Sequence, residues 1–241
     1  MKGCVMDTWI VIGTIALAIF TQSFSGFGFA LVSMPLITPI LGLKVSAPLV
    51  ALLGWTAEIA LIIYFRESLS FREMGRLIGA SLVGAAVGVT ALRTVPENIL
   101  LPVLGAVLVG YVLYNWLRFS LPEMHSPWWA YVLGALSGAL GGAYNTSGPP
   151  VIIYGHARKW SPEEFKGNLQ GFFFINNVFV LVGHYFNGTL TATVWRTYLM
   201  VLPALAIGIW GGLTLGRKVD SNRFRQVVLA LLLVLGLRLM V

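Results

Sequence analysis

Charge is what this chain has least of. Only 10% of its 241 residues are Asp, Glu, Lys or Arg, against roughly 25% in a soluble globular domain. So few charges cannot cover a water-facing surface, which excludes an ordinary soluble fold. Cysteine is nearly absent too. The lone Cys4 excludes an internal disulfide framework and a cysteine metal cluster. No apolar run precedes it in Met1-Lys2-Gly3-Cys4, so it does not read as a lipid-attachment site. The three histidines, His125, His156 and His184, are too scattered to form a metal site. No glycine loop of the Gly-Lys-Ser/Thr type is present to cradle a nucleotide. No metal and no cofactor is expected.

What the chain has instead is apolar length. Hydrophobic residues make up 57% of it, in runs of 17 to 23 residues that recur from end to end. Each is long enough to cross a hydrocarbon core of about 30 Å as a helix. The chain reads as an all-α polytopic membrane protein whose first partner is the lipid bilayer. Its net charge of +7 fits Lys- and Arg-rich cytoplasmic loops better than a nucleic-acid surface. Residues 9–20 have the form of a signal-peptide core, with Ser23 and Ser25 as small residues after it. A partner for this segment later in the chain makes it a retained helix.

That partner belongs to an internal repeat. Ser25-Gly26 matches Ser137-Gly138, and Pro35 lies near the register of Pro149-Pro150. Tyr64-Phe65 matches Tyr185-Phe186. Gly84, Gly88, Thr90, Arg93, Val95 and Asn98 match Gly208, Gly212, Thr214, Arg217, Val219 and Asn222, all 124 residues apart. Residues 1–120 and 121–241 are thus read as two transmembrane repeats of about five hydrophobic segments each. The segments fall at 8–24, 29–41, 45–65, 74–92 and 98–117, then at 127–143, 149–157, 164–186, 195–216 and 223–240. The second of each set is too short to span, and reads as a broken or re-entrant half-helix. An odd number of crossings per copy inverts the second repeat. Alternating sides places 5 basic residues on one face and 11 on the other. The rich face is expected to be cytoplasmic, with both termini on the non-cytoplasmic side.

The short segments follow polar breaks. In Gly141-Gly142-Ala143-Tyr144-Asn145-Thr146-Ser147-Gly148-Pro149-Pro150 the prolines and glycines stop one helix and start another. Thr146 and Ser147 supply N-cap hydroxyls, and a helix N-terminus with free N–H groups favours an anion. Gln22, Ser23, Ser25, Gly26, Phe27 and Gly28, followed by Pro35, repeat this design in the first copy. Irregular backbone at membrane depth must line protein or a wet cavity. Matched breaks in inverted halves therefore predict a substrate site at the repeat interface, and close packing of small residues is the alternative use of the same sequence. The predicted binding set is Gln22, Ser23, Ser25, Gly26, Phe27, Gly28, Tyr144, Asn145, Thr146, Ser147, Gly148 and Asn177. Pro35, Pro149 and Pro150 are read as helix-break residues.

One acidic residue lies well inside a predicted span: Glu58. A charge at that depth costs roughly 2.5–3.5 kcal/mol, so Glu58 is expected to face the interior, neutral or paired. It is a candidate for coupling or gating, and a hydrogen-bonded structural carboxyl is the alternative. On the matching segment Gln170, Asn176 and Asn177 offer uncharged donors, with Asn177 nearer the register of Glu58. Arg158 and Lys159, beside His156, set topology or draw anions to a mouth. Trp128, Trp129, Trp195 and Tyr198 read as interfacial anchors.

These motifs carry a resemblance. The Gly26-Phe27-Gly28 motif before an apolar run and Pro35, and Gly141-Gly142 followed by Ser147-Gly148-Pro149-Pro150-Val151-Ile152-Ile153-Tyr154, resemble the sulfite exporter TauE/SafE family of bacterial membrane transporters. The resemblance runs from about Phe20 to Leu237. It implies a secondary transporter in the cell inner membrane, exporting sulfite, sulfonates or related small organosulfur anions. Phe29-Ala30 and Asn145-Thr146-Ser147 depart from the glycine-rich pattern of many members, which leaves the particular anion open. An anion channel remains the alternative. A scaffold would not need two matched breaks, and an embedded enzyme would need a partner for Glu58. Monomer and homo-oligomer are both compatible with the sequence.

Overall fold

Long apolar runs in a chain this poor in charge become helices, because in hydrocarbon a helix satisfies its own backbone. The computed structural model describes residues 2–117, 123, 126–214 and 220–240. Among these the only strand-free solution is realised, with ten α-helices and one short 3-10 turn at Arg66–Ser68. The first half contains α1 (Lys2–Ser25), α2 (Phe29–Leu41), α3 (Leu43–Phe65), α4 (Phe71–Thr94) and α5 (Glu97–Trp116). The second contains α6 (Trp128–Tyr144), α7 (Gly148–Ala157), α8 (Pro162–Phe186), α9 (Ala192–Thr214) and α10 (Ser221–Met240). Each predicted segment is a helix. Helices α1, α3, α4, α5, α8 and α9 are long and apolar enough to cross a membrane. With 17 residues α6 is shorter, and α10 carries Arg223, Arg225 and Arg238.

The helices pair across the midpoint of the chain. Helix α4 packs on α6 and α1 on α9, while α3 meets α8 and α5 meets α10. Exchanging the two sets of five leaves this list of pairs unchanged. Glycines make the closest approaches. A Cβ on Gly84 or Gly88 of α4 would overlap the backbone of α6 at Ala135, Ala139 and Ala143. The matching Gly208 and Gly212 of α9 face Ala16, Ile19, Phe20 and Ser23 of α1 in the same manner. Small residues let helix backbones touch where lipid gives no hydrophobic drive. Of the other members of that match, Arg217 and Val219 lie outside the described residues, as does the side chain of Asn222.

Two parts of the sequence reading need correction. Ser25 is the last residue of α1, whereas Ser137 lies inside α6, so these two serines are not equivalent. The residue that ends α6 is Tyr144. Pro35 does not mark a break either. It lies buried within α2, with Pro39 also inside the same helix, and the interruption falls seven residues earlier, at Gly28. A proline within a membrane helix is tolerated where the packed protein accommodates the freed carbonyl. Pro149 and Pro150 do sit in the first turn of α7, where absent N–H groups leave no intrahelical bond unmade.

Candidate functional site

The two interruptions have the same form and different chemistry. The first is made by glycine. Gly26 and Gly28 hold φ at +86° and +109°, a region that L side chains rarely enter. Gln22 anchors the new helix by accepting the Phe29 N–H at 3.3 Å through its Oε1. From α8, fully buried Gln170 donates through Nε2 to the Gly26 carbonyl at 2.6 Å. Ser25 donates back to the Thr21 carbonyl at 2.7 Å.

The second interruption turns on asparagine. Asn145 takes the left-handed conformation, φ +54°, that ends many helices, and its N–H donates to the Gly141 carbonyl at 2.7 Å. Its side chain reaches across the molecule, donating through Nδ2 to the Ala47 carbonyl of α3 at 2.6 Å. Ser137 donates to the Ser147 carbonyl. Ser147 is the N-cap of α7 yet forms no side-chain cap bond, so its hydroxyl is not consumed by the helix it precedes.

Both new helices begin at one small cavity of about 30 Å³. Gly28, Phe29, Ala30 and Leu31 approach from one side, and Asn145, Thr146, Ser147 and Gly148 from the other. Gln22, Val50, Gly54, Glu58, Phe173 and Asn177 complete the wall. Pro149 and Pro150 bring no N–H to the start of α7 and Gln22 holds the Phe29 N–H, so what the two helix starts share is a positive dipole end aimed at one place. The Thr146 hydroxyl adds a donor. Thr146 is 1% exposed, and its Oγ1 has no hydrogen-bond partner among the described residues.

Glu58 stands in the same wall. Asn177 Nδ2 lies 2.8 and 3.0 Å from its two carboxyl oxygens, joining α3 to α8. The pairing needs Gly54, one turn away, because a Cβ there would come within 3.0 Å of that amide nitrogen. Asn176 points elsewhere and lies against Gly141 of α6. Adjacent helical residues diverge by about 100°, so one of the two asparagines reaches the carboxylate and its neighbour does not.

The predicted residues thus separate into groups. Gln22, Gly28, Asn145, Thr146, Ser147, Gly148, Glu58 and Asn177 meet at the small cavity. Ser25 and Phe27 line a larger cavity beside it, which Gly28 also touches. Ser23 faces a third hollow near Lys166. Gly26 supports the first break through its carbonyl. Tyr144 turns away, its hydroxyl donating to the Leu100 carbonyl of α5 at 2.9 Å. Outside the site, Tyr198 is half-buried and pairs with Thr56 at 2.8 Å, unlike the exposed Trp128, Trp129 and Trp195. Sequence reasoning missed Phe29, Ala30, Leu31, Val50, Gly54 and Phe173. These are apolar residues in apolar helices, and only tertiary packing selects them.

Broken helices that start at a buried polar cavity inside a polytopic bundle are the architecture of a membrane transporter. The comparison with known families gives that class a name. The family model described as Sulfite exporter TauE/SafE matches residues 11–239, and the chain belongs to this family. No curated protein and no solved structure matches it. The family is one of transporters and not of enzymes, and the protein is a multi-pass membrane protein that handles a small anion.

Proposed function

We propose that the protein is a secondary transporter that exports sulfite or a related small organosulfur anion, bound in the cavity between the first turns of α2 and α7. The observation that carries this reading is that both helix starts, the Thr146 hydroxyl and the Glu58–Asn177 pair line one small cavity. Helix starts and a neutral hydroxyl hold an oxyanion without an opposing cation that would make release slow. A carrier is favoured over a channel by size. The cavity of about 30 Å³ has room for about two or three waters, since one water needs about 10–15 Å³, which suits a small anion held without its hydration shell. The site must open to load and open again to discharge.

Glu58 supplies the coupling in this reading. Its wall cannot favour both a carboxylate and a bound anion, because two like charges at close range repel strongly in a low dielectric. Anion occupancy and protonation of Glu58 are therefore linked, and a proton accompanies the anion. The repeats 1–120 and 121–241 are read as inverted, supported by the exchange symmetry of the helix pairs and by the charge split. Both termini then lie on the non-cytoplasmic side.

Flux into proteoliposomes tests the reading, comparing sulfite, thiosulfate, sulfoacetate and sulfate at fixed pH. Saturable flux of one sulfur oxyanion, lost when Thr146→Val is combined with Ser147→Ala, is the expected result. Unchanged flux in that double variant would move the site out of the cavity.

A further inference from the structure

Buried glycines in this bundle have visible reasons to be glycine, with one exception at the site. Gly84, Gly88, Gly138 and Gly142 let α4 and α6 touch, since a Cβ on any of them would fall within 3.0 Å of backbone atoms of the other helix. Gly26 and Gly28 hold positive φ. Gly148 has neither reason. It is buried at the first position of α7 and is not one of the glycines at positive φ. A Cβ there would meet only Ile152 Cδ1 at 3.7 Å and Phe173 Cζ at 3.8 Å, which is ordinary van der Waals contact. A side chain before proline crowds the ring when the backbone is helical. Pro149 carries a Cβ before Pro150 in the same turn, however, so α7 tolerates that crowding one residue on.

What the missing side chain leaves is room in the small cavity. Gly148 and Phe173 both line it, and the tip of the Phe173 ring faces the place where a methyl on Gly148 would sit. Thr146 and Ser147 immediately precede Gly148 and bring their hydroxyls to the same wall. A group added at this position would press on whatever those hydroxyls hold. In a cavity this small, one methyl is a large part of the space.

We infer that Gly148 is a specificity-determining residue, whose absent side chain leaves a gap against Phe173 that sets how bulky an oxyanion head can enter. The inference rests on the transport reading above and adds a gauge to it. Hydroxyls and positive helix ends attract oxyanions of many shapes. The gap sorts them by girth, so narrowing it excludes the pyramidal head of sulfite and widening it admits fuller heads.

The test is sulfite flux into proteoliposomes for Gly148→Ala, Gly148→Ser, Phe173→Leu and the double variant Gly148→Ala with Phe173→Leu, each with thermal unfolding in detergent. Gly148→Ala should keep its unfolding temperature and raise the half-saturating sulfite concentration about tenfold or more, the scale of overpacking by one methyl. Gly148→Ser, similar in size and able to hydrogen-bond, should do the same. Trimming the ring in the double variant should restore most of the lost affinity, and Phe173→Leu alone should let sulfate compete better than it does in the unmodified protein. An unchanged half-saturating concentration in Gly148→Ala would overturn the inference. So would a rise that Phe173→Leu does not reverse, or a clear fall in unfolding temperature, since either makes the glycine a backbone requirement. Thr146→Val, measured alongside, keeps the two readings apart. If it weakens sulfite while Gly148→Ala does not, the gauge fails and the site stands; if neither has an effect, both fail.

Discussion

The break between α1 and α2 and the break between α6 and α7 solve one problem with different chemistry. The first uses Gly26 and Gly28 at positive φ and keeps the amides of Phe29, Ala30 and Leu31, the first of them held by Gln22. The second uses Asn145 at positive φ, and Pro149 and Pro150 then remove two amides from the opening turn. What the second break lacks in backbone donors it makes up with hydroxyls at Thr146 and Ser147. One side of the cavity is a helix start whose first amide is held by Gln22, and the other is a helix start supplemented by hydroxyls. Two breaks at like places in the helix order can therefore share geometry while sharing almost no residues.

Substitutions can separate the two designs. The largest effect is expected from Gly28→Val. A β-branched residue at φ +109° is strained wherever it sits, and its Cβ would lie 3.1 Å from Thr21. The backbone term alone is about 1–3 kcal/mol. Thermal unfolding in detergent should show a marked loss of stability, and flux should vanish. A smaller effect is expected at Asn145, where glycine should be tolerated better than alanine. Asn145→Gly keeps the left-handed turn and loses the bond to Ala47, a cost of about 1 kcal/mol. Asn145→Ala loses both, so its unfolding temperature should fall further. Equal stability of the two variants would mean that the turn imposes no strain. Thr146→Val should leave stability unchanged or slightly raised, because its buried hydroxyl has no partner. Only the half-saturating anion concentration should rise, by about tenfold for one lost hydrogen bond to a charge. Smaller still is the effect of Glu58→Gln on flux at one pH, since an amide fits the space and can still pair with Asn177. Its signature is a pH profile that becomes flat. A profile as steep as that of the unmodified protein would remove Glu58 from coupling.

The sequence already carried the helices, because apolar length in a charge-poor chain leaves little else to form. It also carried the choice of Asn177 over Asn176, since the Tyr-Phe match set Asn177 nearer the register of Glu58; the hydrogen bond between the two came only with the fold. The orientation of Tyr144 was not legible. Beside a polar break a tyrosine reads as a binding group, but its hydroxyl goes to a carbonyl on α5, a helix far away in sequence. Nor could periodicity place the first repeat match, because serine-glycine pairs recur in glycine-rich helices. Pro35 misled for a related reason: packing around α2 lets a proline sit inside it, and no local signal reports that packing. The larger cavity beside the site was hidden most completely. Its phenylalanines come from α1, α8, α10 and the first break, so only the folded chain assembles it.

The central claim is that both breaks serve one bound anion. It is tested most directly by substrate protection in a Cys4→Ser background, with Ala30→Cys and Ser147→Cys made singly. Sulfoacetate should slow maleimide labelling of both cysteines, with the same half-protecting concentration at each. Protection at one position only, or at two unrelated concentrations, would contradict a shared site.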